Sequence, residues 1–242
     1  MGSDRTVVNA ARLSFDNTSD KNKPLDAGDE RLIKFLVRGC PMEDWDEAIE
    51  TIFDGDEVEG LKKIKYLRSM PSHFAPFTHP QITLIEEMPI QVERQRFKHQ
   101  RGKTYSSISY RYIYKTPDVY SPANWRRKPE GSIKQGSSGD FNEIDNLTAS
   151  MIHDEAVSKS LKSYNQLIEM GACPEQARGV LPVNMVTKFM VTGSLYAFAN
   201  AYIQRSDGHA QWEIQQLAKQ WDEIIRPLYP VSWKTLVDGD YT

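Results

Sequence analysis

The chain of 242 residues carries 30 Lys and Arg against 33 Asp and Glu, a formal net charge of -3, and 39% of it is hydrophobic. This composition predicts a globular protein with a sizeable core, and its mild acidity argues against nucleic-acid binding through overall charge. No apolar run approaches the roughly 18 residues of a membrane span, and no secretory signal is visible. Cys40 and Cys173 lie far apart in no metal-binding pattern, so we expect a cytoplasmic protein with neither a disulfide nor a metal site.

In chain order, the first half of the sequence shows helical patterns and one strand. VVNAARLSF has a short helical pattern, and Asp29 is a candidate N-cap for the helix ERLIKFLVRG, which ends at Gly39. The acidic stretch that follows contains two more helical pieces, WDEAIETIF and VEGLKKIKYLRSM. After a break rich in Pro and aromatic residues, QITLIEEM predicts a strand, and Pro89 fits the first turn of a helix in PIQVERQRF.

The second half begins with an irregular stretch and is otherwise helical in pattern. Residues 116–140 are dense in Pro, Gly and Ser, which predicts a long surface loop of the functional or mobile kind. We expect helices before Gly171, over residues 183–205, and near the C-terminus, where one apolar stripe contains Ile214, Leu217, Trp221, Ile224 and Ile225. With no repeat and no clear linker, residues 1–242 are interpreted as one helix-rich α+β domain.

The segment ERQRFKHQRGKTYSSISYRY, residues 93–112, combines positive charge with hydroxyl groups. Six of its twenty residues are Lys or Arg, and Ser, Thr and Tyr cluster in its second half. Guanidinium forks, hydroxyls and free backbone N–H groups bind phosphate. The charge is too confined for a duplex, so the segment predicts a site for a small anion such as a nucleotide.

Polar residues also collect at the junction FANAYIQRSDGHAQWE. Arg205, His209 and Glu213 are spaced by four and would share one face of a continuous helix, although Gly208 favours a break. An ion-paired corner with a capped helix explains the same residues without any function. Both interpretations remain open from the residues alone.

These segments together resemble the flavin-dependent thymidylate synthases. PIQVERQRFKHQRGKTYSSISYRY is similar to the family's P-I-x-V-x-R-Q-x-F run followed by R-H-R-x-x-S-x-N-x-x-S-x-R-Y. VVNAARLSF, SHFAPFTHP, ARGVLPVNMVTKF and NAYIQRSDGHAQWEIQ match further family segments in order, and YSPANWRR and KQGSSG echo a loop of many members. The chain departs from the pattern at 98–101, where KHQR replaces R-H-R, and at Ser106, Ser194 and Tyr196, which replace Asn, Asn and Arg.

The resemblance implies the family's α+β fold with an antiparallel sheet and its reaction. The family converts dUMP to dTMP, with methylene-tetrahydrofolate as carbon donor and NADPH-reduced FAD, in homotetramers that share sites between subunits. By resemblance, dUMP would be bound by Gln95, Ser109, Arg111, Arg178 and Arg205. The residues that would contact FAD are Ser14, His99, Arg101, Asn200 and His209. Arg205, Ser109 and His79 would act in catalysis, His79 near the flavin ring and the approach of folate or NADPH.

Two other functions stay open at this point. Interleaved Arg and Tyr in residues 94–112 could stack on bases in a nucleic-acid-binding module without catalysis. The altered motif at residues 98–101 and Ser106 would also suit a related flavin- and folate-dependent dUMP hydroxymethylase, or an inactive nucleotide-binding paralogue.

Overall fold

The structure is a computed structural model that describes residues 2–70, 72–129 and 136–239. Its helices are α1 Asp4–Arg12, α2 Ala27–Arg38, α3 Met42–Phe53, α4 Glu57–Ser69, α5 Ile90–Arg96, α6 Glu143–Glu169, α7 Pro174–Ala177, α8 Leu195–Arg205, α9 Trp212–Ile225 and α10 Pro230–Asp238. Its strands are β1 Gln81–Pro89, β2 Lys103–Ser107, β3 Arg126–Arg127, β4 Ser138–Asp140 and β5 Val186–Ser194. The predicted helix-rich α+β class is confirmed.

The chain divides into two compact units. Unit 1 comprises Met1–Ile82, Gly193–Gln204 and Ala218–Thr242, and unit 2 comprises Thr83–Thr192 and Arg205–Leu217. Residues 130–135 of the predicted 116–140 loop lie outside the described residues, so the mobility of that loop stays a prediction, as does the single-domain interpretation. No helix in the described ranges is long and apolar enough to cross a bilayer.

Unit 1 is organised around helix α2 and its caps. Asp26, and not Asp29 as the sequence predicted, is the N-cap: its carboxylate accepts from the Asp29 backbone N–H at 2.9 Å. Asp29 lies at the third helical position, completes a capping box, and pairs with Arg5 and Arg12. The C-cap is Gly39, as predicted, with a φ of 83° that favours glycine.

Buried aromatic residues are the largest side chains of the unit 1 core. Phe77, Phe198, Trp221, Tyr229 and Trp233 are all almost fully buried, as are Leu217 in unit 2 and Ile225 from the predicted C-terminal stripe. Ile224 does not belong to that stripe because its side chain is 49% exposed. The buried Asp4 carboxylate accepts from the Val231 and Ser232 backbone N–H groups, 2.9 Å each, and so fixes the start of α10.

Helices α3 and α4 form a hairpin within unit 1, and the chain after the hairpin returns to the end of α2. The His73 backbone N–H donates to the Leu36 carbonyl at 2.7 Å, which joins the return of the chain to the last turn of α2. The hairpin has its own small core of Cys40, Ala48 and Leu67, with Trp45, Ile64 and Met70 packed against it. The acidic α3–α4 hairpin therefore has a small apolar core of its own.

The sheet of unit 2 has the strand order β1-β5-β2, with β3 and β4 as a separate antiparallel pair. Strand β5 corrects the prediction of one helix over residues 183–205, since only α8 is helical. Thr187, Phe189 and Val191 are buried while Lys188 and Met190 are exposed. This period of two is that of a half-buried strand.

A buried ion pair joins α5 to β1 inside unit 2. The Arg96 guanidinium donates through Nε and Nη2 to the two carboxylate oxygens of Glu86, at 2.9 Å each. Both side chains are almost completely inaccessible to solvent. A bidentate pair of this kind fixes the orientation of both groups.

We predict that Glu86→Leu lowers the free energy of unfolding by about 3–5 kcal/mol, because it leaves the Arg96 charge buried without its carboxylate. The double variant Glu86→Leu/Arg96→Met removes both charges and is expected to recover most of that loss. Denaturant unfolding of both variants and the unmodified chain measures the difference. A double variant as unstable as the single one would contradict this assignment.

Candidate active site

The end of helix α5 and strand β2 build a cationic cluster around the Arg96–Glu86 pair. Arg96 Nη1 donates to the Tyr105 hydroxyl at 3.1 Å, and that hydroxyl donates to the His99 carbonyl at 2.7 Å. The Phe97 ring stacks on Phe189 of β5, with centroids 5.3 Å apart. These contacts hold the turn that carries His99 between α5 and β2.

Positive charge is concentrated at this turn, and its effect on proton affinity is large. Burial, followed by repulsion from the cations of Arg205, Lys103 and Arg96, lowers the pKa of His99 to about 4. Burial, followed by repulsion from Arg96, lowers the pKa of Lys103 to about 7. His99 is therefore a neutral imidazole at neutral pH, in a positive field that favours an anionic or electron-rich ligand.

Three predicted site residues lie in this cluster: Gln95, His99 and Arg205. Each has one buried side-chain N or O atom that makes no hydrogen bond within the described residues. Arg205 Nη2 donates to the Gln95 carbonyl at 3.5 Å. Gln95 Oε1, His99 Nε2 and Arg205 Nε are buried, and none of them has a hydrogen-bond partner within the described part of the chain. Because buried polar atoms are almost always hydrogen-bonded in the functional state, this arrangement presents donor and acceptor positions to a ligand.

Arg126 belongs to the same region and was missed by the sequence interpretation. A cavity of about 380 Å³ is lined by Gln95, Arg126, Ser137 and Trp212, among others. The Arg126 guanidinium donates to Glu213 at 2.7 Å and to Ser137 at 2.9 Å, and it lies 5.3 Å from the Trp212 ring centroid. The signal in the sequence was the pair of loop segments YSPANWRR and KQGSSG, which carry Arg126 and Ser137.

A second, exposed basic group gathers Ser109, Arg111 and Arg178. Arg111 Nε donates to the Ser109 hydroxyl at 3.4 Å, and its Nη1 lies 3.8 Å from a carboxylate oxygen of Glu175. Arg178 Nε donates to the Glu175 carbonyl at 3.4 Å. Arg111 and Arg178 both contact the exposed residue Glu175, and the Ser109 hydroxyl lies beside Arg111. Two guanidinium groups and a hydroxyl in this arrangement can bind a phosphate group.

Unit 1 contains an aromatic cavity that brings together Ser14 and His79. Its volume is about 590 Å³, and its walls include Phe35, His73 and Phe74. The Phe35 and His73 rings stack with centroids 5.7 Å apart, and Phe74 stacks on Tyr196 at 5.3 Å. Flat aromatic walls of this kind suit a planar heterocyclic ring.

The remaining predicted residues lie at the surface. Arg101 is exposed in the turn before β2, and Asn200 is exposed on α8. His209 is 95% exposed in the turn between α8 and α9, where its Nδ1 lies 2.8 Å from Asp207 Oδ1. The predicted break near Gly208 is confirmed, since α8 ends at Arg205 and α9 begins at Trp212.

The fold and these groups define a helix-rich α+β protein equipped for phosphorylated and planar heterocyclic ligands. A family model described as thymidylate synthase complementing protein matches residues 1–231. The chain belongs to this family, the flavin-dependent thymidylate synthases, as the sequence resemblance implied.

Curated relatives agree with that assignment, and a solved structure shares the fold. The chain is 30% identical over 247 residues to the flavin-dependent thymidylate synthase of Thermotoga neapolitana, covering 100% of this chain and 89% of the relative. It is 27% identical to the enzyme of Thermus thermophilus, covering 96% and 71%. The crystal structure of a UMP/dUMP methylase PolB from Streptomyces cacaoi bound with 5-Br UMP superposes with a TM-score of 0.74, at 21% identity and 100% and 92% coverage.

The proton affinity of His99 gives a direct test of the cationic cluster. Its folded-state pKa of about 4 lies below the ordinary 6.5, so the folded chain binds fewer protons than the unfolded chain between these values. The contribution to stability is therefore complete above pH 6.5 and is lost as the pH falls toward 4. We predict an NMR titration midpoint near 4, and a higher midpoint in Arg205→Gln, which removes a neighbouring cation.

The His99 signal can be assigned by its loss in His99→Gln. That variant should also lose less stability than the unmodified chain between pH 6.5 and 4. A midpoint near 6.5, unchanged by Arg205→Gln, would mean that the cluster does not act on His99.

Proposed function

We propose that this chain is a thymidylate synthase that methylates dUMP to dTMP, with methylene-tetrahydrofolate as carbon donor, FAD as cofactor and NADPH as reductant. The observation that carries the proposal is the cluster in which Gln95 Oε1, His99 Nε2 and Arg205 Nε are buried without a hydrogen-bond partner among the described residues. The family resemblance assigns nucleotide or flavin contacts to all three. Family membership and the local geometry therefore support the same function.

The pyrimidine of dUMP fits the polarity of these atoms. A uracil edge alternates carbonyl acceptors with one N–H donor, which complements the Arg205 Nε donor and the Gln95 Oε1 acceptor. A fixed Arg205 cation would stabilise negative charge that develops on the ring, an effect of roughly 3 kcal/mol for one preorganised donor. Arg111, Arg178 and Ser109 would bind the phosphate, with Ser109 close to the reacting nucleotide.

The chain also has residues that fit FAD. The aromatic cavity of about 590 Å³ would hold a planar ring between its walls, with Ser14 and His79 beside it. The family resemblance assigns FAD contacts to His99, Arg101, Asn200 and His209 as well, in sites that the family's subunits share. When bound, FAD supplies the reducing equivalents that NADPH delivers. In this scheme the protein orients the ligands and stabilises charge.

Two wider features belong to the same proposal. We expect a cytoplasmic homotetramer whose sites are shared between subunits. The exposure of Arg178, Asn200 and His209 in the single chain is compatible with contributions to a neighbouring subunit's ligands. The nucleic-acid-binding alternative has less support, because the chain belongs to an enzyme family over residues 1–231.

One prediction of the proposed function concerns the nucleotide product. Incubation of the protein with dUMP, methylene-tetrahydrofolate, NADPH and FAD is expected to give a nucleotide heavier by one methylene, measured by mass spectrometry. A hydroxymethyl product would favour the hydroxymethylase alternative instead. Unchanged dUMP, from protein shown to be folded by circular dichroism, would favour the inactive paralogue.

The second prediction separates the nucleotide from the flavin. Arg111→Ala and Arg178→Ala each remove a charge-assisted contact to phosphate and should weaken dUMP binding about 10-fold or more, measured by calorimetry. FAD binding, followed by flavin fluorescence, should stay within about twofold of the unmodified chain, since neither change removes a charge-assisted contact to FAD. Arg127→Ala, which removes another exposed Arg paired with a carboxylate, is the matched control. Equal loss of both ligands would contradict the assigned roles.

A further inference from the structure

A basic groove lies on the other side of the wall that bounds the aromatic cavity. Arg31, Lys34 and Arg38 line this groove of about 400 Å³, together with Phe35 of the same helix and Glu43 of α3. Positions 31, 34, 35 and 38 recur at the spacing that puts side chains on one face of a helix. Three cationic side chains and one carboxylate therefore line the groove.

Phe35 connects the groove to the aromatic cavity. Its side chain lines both spaces, and on the cavity side its ring stacks on His73. Leu32 and Leu36 of the same helix also face the cavity. Helix α2 is thus the common wall between a space suited to a flat ring and a space suited to negative charge.

The start of the α3–α4 hairpin fixes one of the three cations. Arg38 Nε donates to the Cys40 carbonyl at 2.8 Å, and its Nη1 lies 3.5 Å from Met42 Sδ. Pro41 and Met42 line the groove on the same side. A guanidinium held by its neighbours loses less freedom when it binds a ligand than a mobile one does.

We propose that the groove of Arg31, Lys34 and Arg38 binds the anionic end of a cosubstrate whose planar ring enters the adjoining aromatic cavity beside the flavin ring. The identity of that cosubstrate rests on the proposed function, which offers two sources of the same chemistry. One is a chain of glutamate carboxylates on the folate, and the other is the ribose phosphate that distinguishes NADPH from NADH. Both place several negative charges at one end of a molecule that carries a heterocycle at the other.

The test measures binding, which does not depend on turnover. Folic acid with five glutamates is compared with folic acid with one, and NADP⁺ is compared with NAD⁺, by calorimetry at low salt on the full chain saturated with FAD. We expect the more anionic member of one pair to bind at least about 10-fold more tightly, and Arg31→Ala/Lys34→Ala to remove that preference. In that double variant, the affinity for the less anionic member of the pair should stay within about twofold of its value for the unmodified chain.

Two further variants test whether the binding preference depends on the charges that line the groove. Lys62→Ala/Lys65→Ala removes two cations from α4, away from the groove lining, and should leave the preference unchanged. Glu43→Gln removes the opposing carboxylate and should strengthen binding of the more anionic ligand. A folate preference would identify the glutamate chain as the occupant, and a preference for NADP⁺ would identify the phosphate.

Equal affinity within both pairs for the unmodified chain would overturn the inference, as would a preference that survives Arg31→Ala/Lys34→Ala. Failure of the proposed function gives a different result, because a chain that forms no dTMP can still show the binding preference. A chain that makes dTMP but shows no binding preference for the more anionic ligand would support the proposed function and contradict the proposed role of the groove.

Discussion

The buried Arg96–Glu86 pair is the constraint on which the cationic cluster depends. Removing two charges from water is costly, and the pair persists only because its bidentate geometry and further hydrogen bonds compensate that cost. The geometry leaves α5 little freedom relative to β1, and Tyr105 extends it to the His99 carbonyl. The backbone of the turn is thereby fixed before any ligand arrives.

The cations of the cluster, Arg96 included, act on their neighbours even though Arg96 is paired with Glu86. The pKa of His99 is depressed first by burial and then by Arg205, Lys103 and Arg96, and the pKa of Lys103 is depressed first by burial and then by Arg96. A chain without a ligand bears this repulsion as a loss of stability, which an anionic ligand would relieve on binding. The same preorganised field that destabilises the empty site is what makes it effective toward developing negative charge.

Much of the fold could be predicted from local patterns. Gly39 and Gly171 follow predicted helices because each adopts a positive φ at the end of one, and β1 has the predicted alternation. Residues 186–194 were misassigned because an apolar strand runs directly into an apolar helix, and the exposed Lys188 and Met190 are too few to reveal the period of two. Asp29 was mistaken for the cap because its long-range partners, Arg5 and Arg12, cannot be recognised from helix-cap patterns.

The charge and hydroxyl groups of residues 93–112 predicted an anion site without any resemblance. The roles proposed for Arg205 and His209 come only from the resemblance, since spacing alone left them as a possible ion-paired corner. Arg126 was not predicted as a site residue because its contacts, Glu213 and Ser137, approach it only in the folded chain.

Net charge and local charge are separate properties in this molecule. The overall charge of -3 arises largely from segments such as the acidic α3–α4 hairpin, while positive groups gather at the cluster in unit 2 and along α2 in unit 1. At physiological salt, charges interact strongly only within about 8 Å, so a ligand in either place experiences the nearby cations far more than the distant carboxylates. An acidic chain can therefore hold several anionic ligands, provided that each binding surface supplies its own cations, as Arg31, Lys34 and Arg38 do in the groove on α2.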